Sequence, residues 1–263
     1  MITADLLETI VAATRRRVEI ARAVRTSVDL ERDVSRHPRG DLFEDALSNS
    51  PAPRIIAECK RRSPSRGILR SDYDPAKHAT AYAQAGAAAV SVLTEPTFFD
   101  GASEHLAAVR AAVDVPLLRK DFIVTDYQLI EAAALGADAA LLIVSALDDP
   151  LLRSLIAACQ HLGLAALVEV HEDDEARRAI DAGARVIGVN SRNLRTLAVD
   201  PAVHELVARV LPSGTIAVAE SGIRAHDDLT RLTACGYQAF LVGERLIGQP
   251  DPGAALRELR HPR

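Results

Sequence analysis

One phrase is written five times in this chain. It reads as a helical turn, a glycine and then a short apolar run: QAGAAAVSVL, ALGADAALLI, HLGLAALVEV, DAGARVIGVN and ACGYQAFLVG. The glycines are Gly86, Gly136, Gly163, Gly183 and Gly236. Glycine enters the left-handed region that stops a helix and turns the chain back. Apolar runs of this kind are Ile55–Cys59, Ala88–Leu93, Pro116–Lys120, Ala139–Val144, Ala165–Val170, Val186–Asn190, Ile216–Ser221 and Ala239–Gly243. They start roughly 20 to 35 residues apart, the spacing of βα units. Most are continuously apolar, as expected of parallel strands covered by helices on both faces. Helix starts are signalled by Asp74-Pro75, Asp149-Pro150, Asp200-Pro201 and Asp251-Pro252, an acidic cap followed by a residue that needs no amide partner. Thr125 to Gln128 has the spacing of a capping box. Eight βα units in about 210 residues predict a closed (β/α)8 TIM barrel, an α/β fold. A doubly wound open sheet is the alternative, weakened by the lack of G-x-G-x-x-G after the first run.

Residues 1–50 precede the first run and read as an N-terminal helical extension packed on the barrel, so that 1–263 form a single domain. Within it, Asp5–Val24 and Asp41–Leu47 carry helical patterns. The stripe Leu6, Ile10, Ala13, Val18 and Ala21 is the expected docking face, and Arg15-Arg16-Arg17 an exposed one. Apolar residues are 48% and charged residues 25% of the chain, which excludes global disorder. A net charge of −5 argues against nucleic acid and anionic membrane as partners. With 3% aromatics and no Trp, stacking platforms are not expected either. No apolar run approaches the roughly 18 residues that span a bilayer, and the N-terminus lacks the basic start of a signal peptide. Cys59, Cys159 and Cys235 have neither disulfide nor metal spacing and read as packing residues. A reducing, cytoplasmic setting follows as an expectation.

In a barrel of this kind the active site lies at the C-terminal strand ends. There the runs place Glu58 and Lys60, Lys120 and Phe122, Glu169, Asn190 and Arg192, Glu220 and Ser221, and Gly243 and Glu244. A polar strand end is often only where solvent begins. Glu and Lys inside apolar runs on several strands are different, because a buried unpaired charge is costly. Glu58 and Lys60 are two apart and share a face. Lys and Glu from separate strands suit general acid–base work on a carbonyl compound. No Ser-His-Asp pattern is present, and no H-x-H or H-E-x-x-H, so a metal site is not expected; a site filled with Lys and Glu acids and bases leads to the expectation of no organic cofactor either. Ser221-Gly222 and Gly243-Glu244 end the last two runs, where barrels often bind phosphate through backbone amides. The basic loop Lys60 to Gly67 neighbours them if the barrel closes.

The motifs AECKRRSPSRG, SVLTEPTFFDG, LLRKDFIVTDYQ, LLIVSAL, ALVEVH, IGVNSRNL, AESGI and LVGE occur in this order. Together they resemble the indole-3-glycerol phosphate synthase family, from the N-terminal helix to about residue 250. The resemblance implies a (β/α)8 barrel in tryptophan biosynthesis, in the single-function form with no obligatory protein partner. It implies conversion of 1-(2-carboxyphenylamino)-1-deoxyribulose 5-phosphate to indole-3-glycerol phosphate, with loss of carbon dioxide and water. Lys120 matches the family's general acid and Glu169 its general base. Glu58 and Lys60 match the strand-one pair, Ser63 the first Ser of the S-P-S loop, and Phe122 the aromatic beside the anthranilate ring. Asn190 and Arg192 match the pair that orients the substrate and its aromatic carboxylate. Glu220, Ser221 and Gly222 match E-S-G, and with Gly243 and Glu244 they fall at the phosphate end. Arg62 departs from a usual small residue, and Ala102 stands where a Ser is expected after Gly101. Two rivals are a phosphosugar isomerase and a non-catalytic barrel that binds a phosphorylated metabolite. Neither requires the whole set Glu58, Lys60, Lys120, Glu169, Asn190 and Arg192.

Overall fold

Eight parallel strands close on themselves in the computed structural model, which describes residues 5–261. The outer bounds 1 and 263 of the expected domain lie outside the described residues. The strands are β1 (Arg54–Cys59), β2 (Ala89–Leu93), β3 (Leu117–Lys120), β4 (Ala139–Ile143), β5 (Ala165–Val170), β6 (Val186–Asn190), β7 (Ile216–Glu220) and β8 (Ala239–Val242). Closure is made by β1, which pairs with β8 from Arg54↔Ala239 to Ala57↔Val242 and with β2 from Ile56↔Ala89 to Cys59↔Val92. An open sheet is thereby excluded.

Side-chain alternation builds two cores from the same strands. Ile56, Leu118, Leu141, Leu167, Val218 and Leu241 fill the barrel. Ile55, Val90, Leu117, Leu142, Val168 and Phe240 point outward under the helices. Burial on both faces is why the runs read as continuously apolar. Each buried Leu contributes about 1.5–3 kcal/mol of transfer free energy. The inward parity then carries Glu58, Lys120, Glu169, Asn190 and Glu220 to the top of the inner core.

The helices are α1 (Leu6–Val24), α2 (Ser27–Arg32), α3 (Gly40–Ser48), α4 (Pro75–Gln84), α5 (Pro96–Phe99), α6 (Ser103–Ala112) and α7 (Asp126–Ala134). They continue with α8 (Asp149–Leu162), α9 (Asp173–Asp181), α10 (Ala202–Ala208), α11 (His226–Ala234), α12 (Glu244–Ile247) and α13 (Pro252–Arg260). All five helix-ending glycines have positive φ, from 75° at Gly163 to 102° at Gly236. Asp74 and Asp251 cap α4 and α13 as expected. On α8 the cap is Asp148, with Pro150 in the second helical position. On α10 Pro201 itself is the cap residue, and Asp200 Oδ1 accepts from the Ala202 amide. The capping box at Thr125 does not form. Gln128 Oε1 accepts instead from Val124 N, and its Nε2 donates to Phe122 O, which staples the loop after β3.

The N-terminal extension packs at both ends of the barrel. From α3, Phe43 and Leu47 enter the inner core. Gly40 there donates its amide to Gly163 O, and a Cβ on it would lie 2.4 Å from Ala165 N. Across the other end lies α1, tied by Arg195–Asp5 at 3.0 Å, Arg17–Asp121 at 3.0 Å and Arg22–Asp126 at 2.7 Å. Its fully buried residues are Leu7, Ile10, Thr14 and Val18; of the expected stripe, Leu6 and Ala21 also pack on the core and Ala13 is half-buried, so Leu7 and Thr14 widen that face. Arg15 and Arg16 are exposed, but Arg17 turns inward. Among the described residues no helix is long and apolar enough to cross a membrane.

Candidate active site

A cavity of about 570 Å³ opens at the C-terminal ends of the strands. All the site residues singled out in the sequence line it: Glu58, Lys60, Ser63, Lys120, Phe122, Glu169, Asn190, Arg192, Glu220, Ser221, Gly222, Gly243 and Glu244. Leu141, Ile143 and Leu241 from the inner core form its apolar floor.

The ionic centre spans four strands. Lys120 Nζ lies 3.0 Å from Glu169 Oε2 and 3.6 Å from Glu220 Oε2. Lys60 Nζ lies 2.6 Å from Glu58 Oε1. Asn190 Nδ2 donates to Glu169 Oε1 at 3.1 Å, and Asn190 Oδ1 accepts from the Arg192 amide at 3.0 Å. Two ammonium groups thus face three carboxyls in a site where charge is poorly solvated. Burial works against the Lys120 ammonium, but Glu169, Glu220 and Glu58 outweigh it and keep the amine protonated far above its ordinary range. Burial would raise the Glu169 carboxyl, yet Lys120, His171 and Asn190 hold it well below the usual carboxylate range. Glu220 absorbs the excess negative charge: burial and the neighbouring Glu169 push it up to about 8, against the pull of Lys120. One carboxyl is driven down and its neighbour up, the division expected of an acid–base site.

Two glycines make room for these carboxyls. A Cβ on Gly188 of β6 would lie 2.1 Å from Glu220 Oε1, and one on Gly243 would lie 2.4 Å from Glu58 Oε1. Gly188 sits inside an apolar run, and nothing in the sequence pattern singles it out.

The aromatic wall is Phe122 against Phe99, with ring centroids 6.1 Å apart. Glu95 holds it by accepting from the amides of Thr97, Phe98 and Phe99. On the opposite side, Ser221 and Gly222 take successive left-handed conformations, φ 64° and 73°. Such a turn aims consecutive amides at one point, as anion sites require. Arg192 reaches this side, 3.2 Å from Glu244 Oε1 and 3.4 Å from Ser65 Oγ. The Glu244 carboxylate is engaged by Arg192 and, at 3.7 Å, by Arg66.

Residues 7–259 match the family described as indole-3-glycerol phosphate synthase. The chain belongs to the indole-3-glycerol phosphate synthase family. A relative of that name from Mycolicibacterium smegmatis is 48% identical over 259 residues, covering 98% of this chain and 95% of its own length. Another, from Parafrankia sp., is 53% identical over 217 residues, covering 82% of this chain and 81% of its own. Among solved structures, the N-acetylmannosamine-6-phosphate 2-epimerase of Clostridium perfringens superposes with a TM-score of 0.59. It covers 77% of this chain and 90% of its own at 15% identity, a likeness of fold alone.

Against the pattern of the synthase family, the two departures have different surroundings. Ala102 is the cap residue of α6 and offers no side-chain acceptor. A Ser at this position would supply a helix cap worth about 0.5–2 kcal/mol. Arg62 is exposed, in a two-residue strand paired with Gly67–Ile68. Arg61, its neighbour, forms an ion pair with Asp100 beyond α5. Sequence reasoning overlooked Glu95 and His171 and read Arg17 as exposed. Each stands next to a recognised motif or inside one, in R-R-R, T-E-P and V-E-V-H.

Proposed function

We propose that this chain closes the indole ring of indole-3-glycerol phosphate from 1-(2-carboxyphenylamino)-1-deoxyribulose 5-phosphate, as a carboxy-lyase of tryptophan biosynthesis acting in the cytoplasm. The observation that carries this reading is one cavity with Lys120 between Glu169 and Glu220, flanked by Phe122 on one side and by Ser221-Gly222 on the other. Such a cavity suits an aromatic ring at one end and a phosphate at the other.

In this reading the retained ammonium of Lys120 polarises the substrate ketone. The ring carbon that bears the carboxylate attacks the carbonyl carbon, a carbon–carbon bond forms, and the carbonyl oxygen takes a proton from Lys120 to become a hydroxyl. The carbon–carboxylate bond then breaks, its electron pair restores the ring, and carbon dioxide leaves. Glu169 next removes the proton from the carbon beside the nitrogen. The hydroxyl departs as water with a proton from an acid, for which Lys60, backed by Glu58, is a candidate. Aromatisation drives this last step. Asn190 orients Glu169, and Phe122 packs against the aromatic ring. Arg192 orients the substrate and its aromatic carboxylate, and the backbone amides of Ser221, Gly222, Gly243 and Glu244, with Ser63 nearby, bind the phosphate. No step changes an oxidation state that would call for a nicotinamide, and the acid–base set leaves no step for a metal.

The test is incubation with the carboxyphenylamino-deoxyribulose phosphate, following indole fluorescence at a protein background without Trp. Product should appear, and at the same rate after dialysis against a chelator. No product from folded protein removes the proposal; a rate restored only by a divalent ion removes its metal-free form.

A further inference from the structure

Glu169 is approached from two sides. Within the cavity it meets Lys120 and Asn190. From behind, His171 Nε2 lies 3.3 Å from Glu169 Oε1, at ion-pair distance but without the alignment of a hydrogen bond. The His171 ring borders a separate outer cleft of about 430 Å³, beside α9 and α10. The other nitrogen makes the hydrogen bond. Nδ1 lies 3.0 Å from Glu175 Oε2, and the same oxygen accepts from the His171 amide at 2.7 Å. Glu175 stands in the first turn of α9. A line Glu175–His171–Glu169 therefore runs from the helix layer through the barrel wall to the buried carboxylate.

An imidazole with a carboxylate at each nitrogen is best satisfied as the cation, with a proton on both. The charged groups that face it agree. On β5 it meets Glu169. From α9 and the turn before it come Glu175, Glu172, Asp173 and Asp174, all acidic. The face of α10 offers Val203, Leu206 and Val207, and β6 offers the neutral Asn190 through Glu169. Beyond Glu169 stand Lys120 and Glu220. Burial lowers the affinity of the ring for its second proton, but Glu169 and Glu175 outweigh it and raise the value to about 10.

Such a cation fills a gap in the chemistry. While Lys120 attends the ketone, Glu169 has less of its main counter-charge in a site whose burial favours the neutral acid. A charge outside the cavity stays in place throughout turnover. We propose that His171, held by Glu175, is a positioning residue that keeps Glu169 ionised and turned toward the cavity when Lys120 engages substrate. This inference rests on the reading of Glu169 as the base.

The experiment compares pH profiles of kcat and KM for the parent, His171→Ala, His171→Asn and Glu175→Gln. In His171→Ala, kcat at pH 7 should fall about tenfold with KM changed less than about threefold, and the acid limb should rise by about one pH unit, because a counter-charge is lost. His171→Asn restores a polar side chain but no charge, so it should keep the raised limb and recover part of kcat. Glu175→Gln should move the limb the same way by less. In the parent, nitrogen NMR of the His171 ring should show both nitrogens protonated through pH 8. A neutral ring at pH 7, or folded His171→Ala with the parent's acid limb, overturns the inference. If the variants do not fold, the ring titration in the parent decides alone. A Glu169→Gln variant separates the two readings. Near-parent turnover there removes the base assignment and this inference with it. An inactive Glu169→Gln beside an unshifted His171→Ala removes this inference only.

Discussion

Lys120 is the one side chain that touches two of the three buried carboxyls, at 3.0 Å to Glu169 and 3.6 Å to Glu220. Lys120→Ala is expected to lower turnover at least about a hundredfold, the usual scale for removing a positioned acid or electrophile. KM should change less, because the aromatic wall and the phosphate end are intact; steady-state kinetics read both. Near-parent kcat would take Lys120 out of the mechanism. Glu220 carries a different prediction. Its folded-state pKa, about 8, lies above the ordinary 4.5. A carboxyl raised in this way binds its proton more tightly in the folded state. Folding then loses stability as pH rises from the unfolded value to the folded one. Glu220→Gln removes that loss. The variant should melt above the parent at pH 8 and lose the advantage near pH 4, while its activity falls. A melting difference that is the same at both pH values would refute the raised carboxyl.

Between the elements, α1 and β3 are joined by a charge cluster behind the site. The Asp121 carboxylate accepts from Arg17, Arg119, Thr94 Oγ1 and the Phe122 amide, and Arg17 also lies 3.6 Å from Glu95. Asp121 sits between Lys120 and Phe122, and Glu95 caps α5, which carries Phe99. One arginine of the extension thus braces both sides of the aromatic wall. Burial would raise Asp121, but Arg119 and Arg17 outweigh it and hold it below its ordinary value. A depressed carboxyl gives stability that is present above the unfolded pKa and lost as pH falls through the folded one. Arg17 is 31% exposed, which discounts the pair. Arg17→Ala should cost about 1–2 kcal/mol at pH 7, move the acid-unfolding midpoint to higher pH, and reduce kcat. Denaturant melts at pH 7 and pH 4 check the first two. An unchanged acid midpoint would show that Arg119 alone holds Asp121.

For the whole molecule, closure between β8 and β1 is what brings the loop after β1 beside the ends of β7 and β8. The expected phosphate end exists only through it. Indole-3-glycerol phosphate at a hundred times its dissociation constant should add about 2.7 kcal/mol, or about 5–10 °C in melting temperature for a chain of this size. Dephosphorylated indole glycerol should protect much less. In Gly222→Asp the ligand-induced shift should shrink, because a carboxylate stands where the anion binds. That shift, not the absolute melting point, is the measurement, since φ at Gly222 is 73° and any side chain there is strained. Equal protection by the two ligands would place the phosphate elsewhere.

Helix-ending glycines, apolar runs and Asp-Pro caps are local devices, and they were legible because their physics acts over a few residues. Strand number, strand order and the residues of the mouth followed from them and from the motifs. The caps at Asp148 and Pro201 and the failed box at Thr125 were not legible, because neighbouring acceptors compete for the same amides. Nor was the role of α1. A triple arginine on an amphipathic helix reads as solvated until Asp121 and Glu95, far along the chain, are brought beneath Arg17. Gly188 and His171 share that limit. One is glycine because Glu220 needs its space, and the other meets Glu169 across a strand end. The sequence by itself determined eight βα units and which residues stand at their strand ends, since periodicity and strand parity are properties of neighbours along the chain. Only the tertiary structure decided that the sheet closes, which charges are paired, which carboxyl keeps its proton and which helix braces the site. Those depend on distances between groups from different strands in a space that water barely reaches.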